Sequence, residues 1–494
     1  MRQRAITITC ISLLASSPLF AMTFAEMTTA HPKAIVMSIS DAVMLSLRNN
    51  SAIRQSEIQR IADKFALTDA EHQFQPKYTL KGSAQWERSV AGGAPASRTL
   101  TYGVTPSASL ENHYGTKYEL DSTNESTNGV YNPGMTFSIT QPLIRGFGKP
   151  VVDATLNNAR DSELTSQLNF KNGTIATVST VINDYLALVQ AYKTLEVDKE
   201  SLKNYQETVN NDKSLIAAGR MARGDIVQAQ AQVQSQLSTI QSDLNGIVSA
   251  KNTLLNDLGL PPQLNIIIPK HIDFLKLAKK LSGNSPLPTL TDSQHVALKN
   301  NIDYQVATIA LRELRRDLLL SYDNDRWKVN ATASEEVGDG SGGGPNGSPR
   351  SLYNRYNHNE TVGLDVEVPI DDVDNQADII NKRVALQKAL IALTQSKRNL
   401  LEKIQSDRQS VITSKAGLAL SKRALALQQR TVYIAQEKQL AGKVSTFEVV
   451  TNQQNLAKQM QSVVSGQISY LTAIVNYEQD LGVTLEPWHI HLRY

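Results

Sequence analysis

The chain has almost none of the side chains on which covalent staples, metal centres and most catalysis depend. One cysteine, Cys10, stands among 494 residues, and aromatic side chains make up only 6 %. Cys10 lies within an apolar N-terminal stretch rather than after it, which argues against a lipid anchor; a chain processed beyond it has no disulfide and no thiolate chemistry. The charge has no dominant sign: 50 basic residues face 47 acidic ones, a formal net of +3. Nucleic-acid binding, which calls for a clustered basic excess, is not expected. No later segment offers the ~18 consecutive apolar residues of a membrane-spanning helix. A β-barrel stays open, because its strands signal only by alternation. The eight histidines are scattered, with no His-Glu-x-x-His pair, and His489 and His491 in the tail read as incidental. Asp371-Asp372-Val373-Asp374 lacks calcium-loop spacing and stands where a helix opens, so it complements the helix dipole. Nucleophile elbow and phosphate loop are both missing. The expectation is a protein that is not an enzyme and uses no cofactor or metal.

What is present begins with an export signal. Arg2 and Arg4 form a positive start, residues 5–14 an apolar run, and small residues allow cleavage after Ala21 or, with Thr23 at the −3 position, after Ala25. The run is too short to span a bilayer and Pro18 interrupts it, so residues 1–25 read as a signal peptide.

The remainder is written twice. Ser40-Asp41-Ala42, continuing to Leu47-Arg48-Asn49-Asn50, matches Thr291-Asp292-Ser293, continuing to Leu298-Lys299-Asn300-Asn301. Gly219, followed by Asp225-Ile226-Val227 and Asp257-Leu258-Gly259, matches Gly442, followed by Glu448-Val449-Val450 and Asp480-Leu481-Gly482, without gaps. Gln141-Pro142-Leu143 matches Val368-Pro369-Ile370. A period of ~225–250 residues is a duplicated domain rather than a solenoid unit. The expected domains are a first repeat over 26–260, a linker over 261–290, a second repeat over 291–482 and a tail over 483–494.

Each repeat reads as helix, strands, very long helix, turn, helix. First helices are expected over 38–73 and 291–322, long ones over 151–212 and 372–439, and last ones over 224–258 and 445–481. Ile175, Val178, Ile182, Tyr185, Val189 and Tyr192 alternate spacings of three and four, a heptad seam. Leu390, Ile404, Val411, Leu418, Leu425 and Val432 hold one heptad position of the second long helix, broken only by Lys397. The companion position runs Leu386, Leu393, Leu400 and then turns polar at Asp407, Ser414 and Ser421. Helices of this size reach ~90–100 Å at ~1.5 Å per residue, and the two shorter ones of each half, end to end, match the long one.

Between first and long helix each half switches to period two, over about residues 76–142 and 326–369. Tyr78, Leu80, Gly82, Ala84 and Trp86 alternate with Thr79, Lys81, Ser83, Gln85 and Glu87; Val362, Leu364, Val366 and Val368 alternate with Gly363, Asp365 and Glu367. One apolar and one charged face suit a barrel wall or a half-buried soluble sheet, and Trp86 and Trp327 suit an interfacial girdle. The run Gly338-Asp339-Gly340-Ser341-Gly342-Gly343-Gly344-Pro345 reads as a hairpin tip.

In this order the duplicated halves, Gln141-Pro142-Leu143-Ile144-Arg145-Gly146-Phe147-Gly148 at a strand-to-helix junction, and the glycine turns followed by an acidic residue resemble the TolC-like outer-membrane efflux and type I secretion proteins, over about residues 38–482. The resemblance implies a mixed, mainly α fold: long antiparallel coiled-coil helices forming a periplasmic tunnel, plus a transmembrane β-barrel shared by a homotrimer. It implies an outer-membrane location reaching into the periplasm, contact with outer-membrane lipid, and a periplasmic adaptor (membrane fusion) protein and inner-membrane pump as partners. The chain would then supply a passive, gated export duct. The linker and tail would build an equatorial region. The family's barrel takes four strands per subunit, twelve in all; a further alternating stretch here, about residues 100–121, leaves the first half's strand number open. Gly219, Arg220 and Met221, with Gly442, Lys443 and Val444, would form the turns that meet the adaptor. Asp225 and Glu448, just inside the following helices, would either cap those helices or form an acidic ring at the gate. Gln439 and Thr451 stand where some members carry an aromatic and an acidic residue. Pro142, Gly146, Gly148 and Pro369 mark the strand-to-helix junctions. The alternative is a periplasmic coiled-coil spacer or adaptor without a pore, which has no use for strand blocks in both halves.

Overall fold

The structure, a computed structural model, describes residues 35–90, 92–93, 95–269, 272–282, 287–338 and 358–492. The expected signal peptide and the glycine run beyond Gly338 lie outside the described residues. Two very long helices, α4 (Ala154–Ala217, 64 residues) and α9 (Val373–Leu440, 68 residues), carry the architecture. Their predicted seams are in place: Ile175, Val178, Ile182, Tyr185 and Val189 of α4 and Ile404, Val411 and Val432 of α9 are buried.

Each long helix is matched by shorter ones laid end to end. Beside α4 run α5 (Ile226–Asp257, 32 residues), α1 (Ile39–Asn49, 11 residues) and α2 (Ser51–His72, 22 residues). Beside α9 run α10 (Thr446–Leu481, 36 residues), α7 (Leu290–Asn300, 11 residues) and α8 (Ile302–Asn324, 23 residues). Both α1 and α7 open on a side-chain cap, Ser38 and Thr289, which accept from the backbone N–H of Asp41 and Asp292.

The expected single first helix of each half is broken after eleven residues, and one residue breaks it. Asn50 (φ −60°, ψ 129°) leaves the helix, caps α2 through Oδ1 to the amides of Ala52 and Ile53 (2.9 and 3.2 Å), and donates Nδ2 to the Asp257 carbonyl (2.7 Å). Asn301 repeats this at the head of α8: Oδ1 accepts from Tyr304 N (3.0 Å) and Nδ2 donates to the Asp480 carbonyl (3.3 Å). An Asn side chain competes well for nearby backbone groups, and here it also ties the end of α5 or α10 to the joint. Opposite it, Gly259 and Gly482 take left-handed φ of +64° and +74°, with a Cβ position 2.5 and 2.6 Å from the carbonyls of Asn49 and Asn300. Only glycine fits so close to that backbone.

The main core gathers around the joints: Val178, Ile182, Leu186 and Val189 of α4, Leu254 and Leu255 of α5, Ala42 and Val43 of α1, and Leu471 and Ile474 of α10. The linker returns here. Strand β1 (Ile35–Val36) pairs parallel with β6 (Ile266–Ile267), and α6 (Phe274–Leu281) buries Leu277, Ala278 and Leu281. Lys280 lies over the Trp488 ring of the tail at 4.5 Å.

At the opposite end from the helix turns stands one antiparallel sheet. Its strands are β2 (Lys77–Ser89), β3 (Ser97–Glu111), β4 (Lys117–Thr127), β5 (Val130–Pro142), β7 (Lys328–Gly338) and β8 (His358–Glu367), paired in that order. Among the described residues the sheet has six strands, four of them in the first half, where the resemblance implied four per subunit and the sequence left the first half's number open. The stretch at residues 100–121 supplies the difference: it is not one strand but the limbs of β3 and β4 meeting at a turn over 112–116, where Asn112 Oδ1 accepts from the amides of Tyr114 and Thr116 (2.9 and 3.0 Å).

Asn50→Ala removes two cap bonds and the tie to Asp257, and is expected to cost about 1–2 kcal/mol. Asn301→Ala should cost a similar amount, and the effects should add because the joints share no partner. Denaturant unfolding of the detergent-solubilised protein checks this; single-variant losses under about 0.3 kcal/mol would mean that the joints do not hold the helices in line.

Candidate functional site

Two regions gather the residues singled out in the sequence: the helix turns at one end of the long helices and the strand-to-helix junction at the other. At the turns the two repeats end their long helices with the same hydrogen bonds. Gly219 (φ +71°) ends α4 with its amide on Ile216 O (3.0 Å), while Arg220 N reaches back to Leu215 O (2.8 Å). Gly442 (φ +70°) does the same with Gln439 O (2.8 Å), and Lys443 N with Lys438 O (2.9 Å). Each is a left-handed glycine cap. Arg220 Nη2 lies 3.9 Å from where a Cβ on Gly442 would stand, so the turns are side by side. Arg220 and Lys443 are exposed, and Met221 and Val444 are half-buried behind them.

The two acidic residues occupy different places. Asp225 is not inside α5 but at its N-cap position, without a side-chain cap bond; Glu448 is in the first turn of α10, where Ser445 Oγ accepts its amide (3.4 Å). Both are exposed in the isolated chain. Behind them lies a buried network that sequence reasoning missed. Gln439 Nε2 donates to Asp212 Oδ1 (2.8 Å) and Thr446 Oγ1 donates to the same oxygen (3.1 Å), joining α4, α9 and α10. Asp212 is fully buried and its pKa is raised, first by burial and then by the charge of Asp225, against the hydrogen bonds from Thr446 and Gln439.

The network continues up the bundle. Thr208 pairs with Gln453 (2.9 Å), Gln454 with Gln232 (2.7 Å), and Asp198 accepts from Gln236 (2.9 Å) and Gln461 (3.1 Å). Asp184, Asp198 and Asp212 recur every fourteen residues along α4, and Asp243 and Asp257 are likewise fourteen apart on α5. In an antiparallel pair this brings Asp184 against Asp257 and Asp198 against Asp243. The second repeat keeps one such rung, Asp407 against Asp480. Burial first, then a hydrogen bond from the facing carboxyl, pushes Asp184 and Asp407 up to about 7 and Asp243 up to about 6. Lys403, 2.6 Å from Asp480, opposes the rise at Asp407; the first repeat has Thr180 in the equivalent place. The signal that would have revealed these rungs is an acidic residue at a heptad position with a fourteen-residue period.

At the other end the glycines turn the chain from sheet to helix. Pro142 closes β5. Gly146 (φ +77°) donates its amide to Asp323 Oδ2 (2.7 Å), and Gly148 (φ +99°) precedes the short helix α3 (Lys149–Val152) and donates to Tyr114 O (3.3 Å). Pro369 lies beyond β8, exposed, ahead of Asp372, which caps α9 through the Asn375 amide (3.2 Å). The β3–β4 turn docks on this junction: His113 Nδ1 is 2.6 Å from Asp153 Oδ1, its ring stacks on Phe74 (4.3 Å between centroids), and Gly115 abuts Gly146 O.

The chain also leaves two lateral faces apolar. On one side α2 exposes Ile58, Ile61 and Phe65, and α5 exposes Val227, Leu237, Leu244 and Val248. On the other, α9 exposes Ile380, Val384 and Ile391 beside α8, and Leu420, Leu427 and Ile434 lower down. The steps within each set are three, four, seven or, from Val227 to Leu237, ten residues, all of which return to one helix face, the mark of a helix–helix interface. Among the described residues no helix is long and apolar enough to cross a membrane, and no group of three or more potential ligands could hold a metal ion.

No family model matches the chain. It is 22 % identical over 276 residues to the cation efflux system protein CusC of Escherichia coli O157:H7, a match covering 54 % of this chain. The chain spans about half the length of the curated relatives it matches, 51 % for that protein. Solved structures align over far more. The outer-membrane protein VceC of Vibrio cholerae superposes with a TM-score of 0.68 at 13 % identity, over 90 % of this chain and 96 % of that one. The open state of the MtrE outer-membrane channel of Neisseria gonorrhoeae gives 0.66 at 13 % identity, over 90 % and 89 %. A crystal structure of CusC gives 0.66 at 16 % identity, over 91 % and 93 %. The fold of this chain is that of the TolC-like outer-membrane efflux channels.

The carboxyl rungs predict a pH dependence. Their folded-state pKa values lie above those of a free carboxyl, so their stabilising contribution is complete in acid and is lost as pH rises through about 6 to 7. The unfolding midpoint should therefore fall from about pH 5 to about pH 8, and Asp184→Asn with Asp407→Asn should flatten that slope. An unchanged slope in the double variant would locate the titration elsewhere.

Proposed function

We propose that this chain is one subunit of a trimeric outer-membrane channel that provides a passive export duct across the periplasm and outer membrane. The observation that carries the reading is the coincidence of edges. Helix α2 and strand β2 lie on one flank, α9 and β8 on the other, and both flanks carry apolar helix stripes beside a strand that, among the described residues, pairs on one side. Two different faces that complement each other generate a closed ring if the rotation closes. A sheet in lipid must have no free edge, because unpaired backbone amides there cost several kcal/mol each.

In this reading the sheet stands in the outer membrane with its apolar side to lipid, and α4 and α9 carry the wall through the periplasm. At ~1.5 Å per residue they reach about 95–100 Å. The turns at Gly219 and Gly442 would meet an adaptor, and energy would come from an inner-membrane pump, in an efflux or type I secretion assembly. Asp225 and Glu448, repeated by symmetry, would ring the far opening with carboxylates and favour cations there, as charged rings do in pores. The chain performs no chemistry on its cargo in this reading.

Purified protein in a planar lipid bilayer should give discrete, reproducible conductance steps, and Asp225→Ala with Glu448→Ala should reduce cation preference. A protein that remains soluble without detergent and never conducts would favour the spacer instead.

A further inference from the structure

We propose that the sheet closes with those of two further copies into a barrel of eighteen strands, half as wide again as a twelve-stranded one, through pairing of β8 of one copy with β2 of the next. This rests on the trimeric channel reading and deepens it: it concerns the width of the duct and therefore the size class of what passes.

The first support is that the additional hairpin belongs to the sheet. Strand β3 pairs with β2 along thirteen consecutive residues, from Lys77↔Ser109 to Ser89↔Ser97, and β4 pairs with β5 along eleven. Its lower turn is seated by His113 on Asp153 and Phe74, and by Thr116 Oγ1 donating to Gln141 Oε1 (2.6 Å). Six is also an even number. β2 leaves the helices and β8 returns to them, so β8 beside the next copy's β2 is antiparallel, as all other neighbours are. The closing edges match in chemistry too. Tyr78, Leu80 and Trp86 share the apolar face with Val362, Leu364 and Val366, while on the polar face Lys77 and Lys81 at the base of β2 meet Asp365 and Glu367 at the base of β8.

The second support is the stagger. Lys77 lies on one hydrogen-bonded row with Ser109, Glu119, Ser138 and Ser334. Ser334 is six residues above Lys328, which opens β7 as Lys77 opens β2. Six residues of climb over four strand steps, at ~3.3 Å per residue and ~4.8 Å per step, is a tilt of ~45°, the inclination of a membrane barrel. At that tilt each strand occupies ~7 Å of circumference and six occupy ~40 Å. Below the sheet α2, α4, α8 and α9 pack side by side, and four helices at ~9–10 Å also take up ~40 Å. Four strands would give only ~27 Å. Six strands thus let the barrel meet the helical wall at equal girth.

The chain beyond Cys10 has no cysteine, so Cys pairs can be introduced without background. Continuing the stagger across the closing edge sets Thr361 of β8 near Ser83 and Gln85 of the next copy's β2. Thr361→Cys combined with Ser83→Cys or with Gln85→Cys should, on oxidation in membranes, give covalent dimers and trimers on a denaturing gel. Conductance in the presence of polymers of increasing size should show an exclusion limit about 1.5 times the diameter of that for a variant lacking residues 91–128. If that variant does not fold, the cross-links decide. Intermolecular cross-links support the eighteen-strand closure. Conducting protein with no β8–β2 link, or with a link inside a single copy, overturns it and leaves the channel reading standing. Soluble, non-conducting protein without links overturns both.

Discussion

The arrangement depends on one duplicated contact: an asparagine amide bound to the last carbonyls of the helix that meets it end-on. A helix of sixty-odd residues can be covered along its whole length only if shorter helices abut without a gap. Asn50 and Asn301 make that possible, since each begins one helix with its oxygen and finishes another with its nitrogen. Gly259 and Gly482 remove the Cβ that would hold the ends apart. A looser joint would let α2 and α8 slide relative to α5 and α10, and the strands they carry would lose register with those that enter α4 and α9. The conserved geometry of the two joints is why a sheet at one end and a pair of turns at the other can be held ~95 Å apart in fixed relation.

Along that distance the packing changes character. Near the joints the seams are mainly apolar and buried, with the Asp184–Asp257 and Asp407–Asp480 rungs set among them. Towards the turns Gln, Thr and Asp join the buried Val432, Ala435, Val449 and Val450, with Gln439, Gln453 and Gln461 of the second repeat bonded to Asp212, Thr208 and Asp198 of the first. Apolar contacts are indifferent to small slides, whereas a buried polar ladder is satisfied in one register and costly in the next. The joint region supplies cohesion and the lower bundle supplies register. The lower bundle also has less to lose on separation, because amides and carboxylates regain hydrogen bonds from water. It is the end at which helices can part at least cost.

Much of this was legible in the residues. The repeat, the long helices, the period-two blocks and the glycine turns follow from spacing alone, because each reflects one dominant local preference. What was not legible depended on pairing at a distance. The break at Asn50 is invisible in a helical pattern that continues through it, since the gain comes from a carbonyl over two hundred residues away. The second hairpin was visible only as an extra alternating stretch, because Asn112-His113-Tyr114-Gly115-Thr116 reads as a turn only once Asn112 is seen to accept two amides and Gly115 to sit against Gly146. The carboxyl rungs escaped because only apolar positions mark a seam by spacing, and Asp407 shows in the sequence only as the point where a companion position turns polar.

Girth then bears on where selection can occur. In a duct whose barrel is narrower than its helical wall, the barrel is a natural constriction. With six strands to four helices the two girths agree, and the strand end offers no narrowing of the backbone. The other end differs: there turns of eight and five residues join α4 to α5 and α9 to α10, with Arg220 and Asp225 exposed on one and Lys443 and Glu448 on the other, the two turns lying side by side. In the proposed channel, charges of both signs close to a polar seam would suit a closure held by electrostatics and relieved by a partner's competing contacts. Asp225 already acts on the buried Asp212 through its charge. Neutralising Asp225 therefore removes one of the influences that hold the Asp212 carboxyl above its ordinary range.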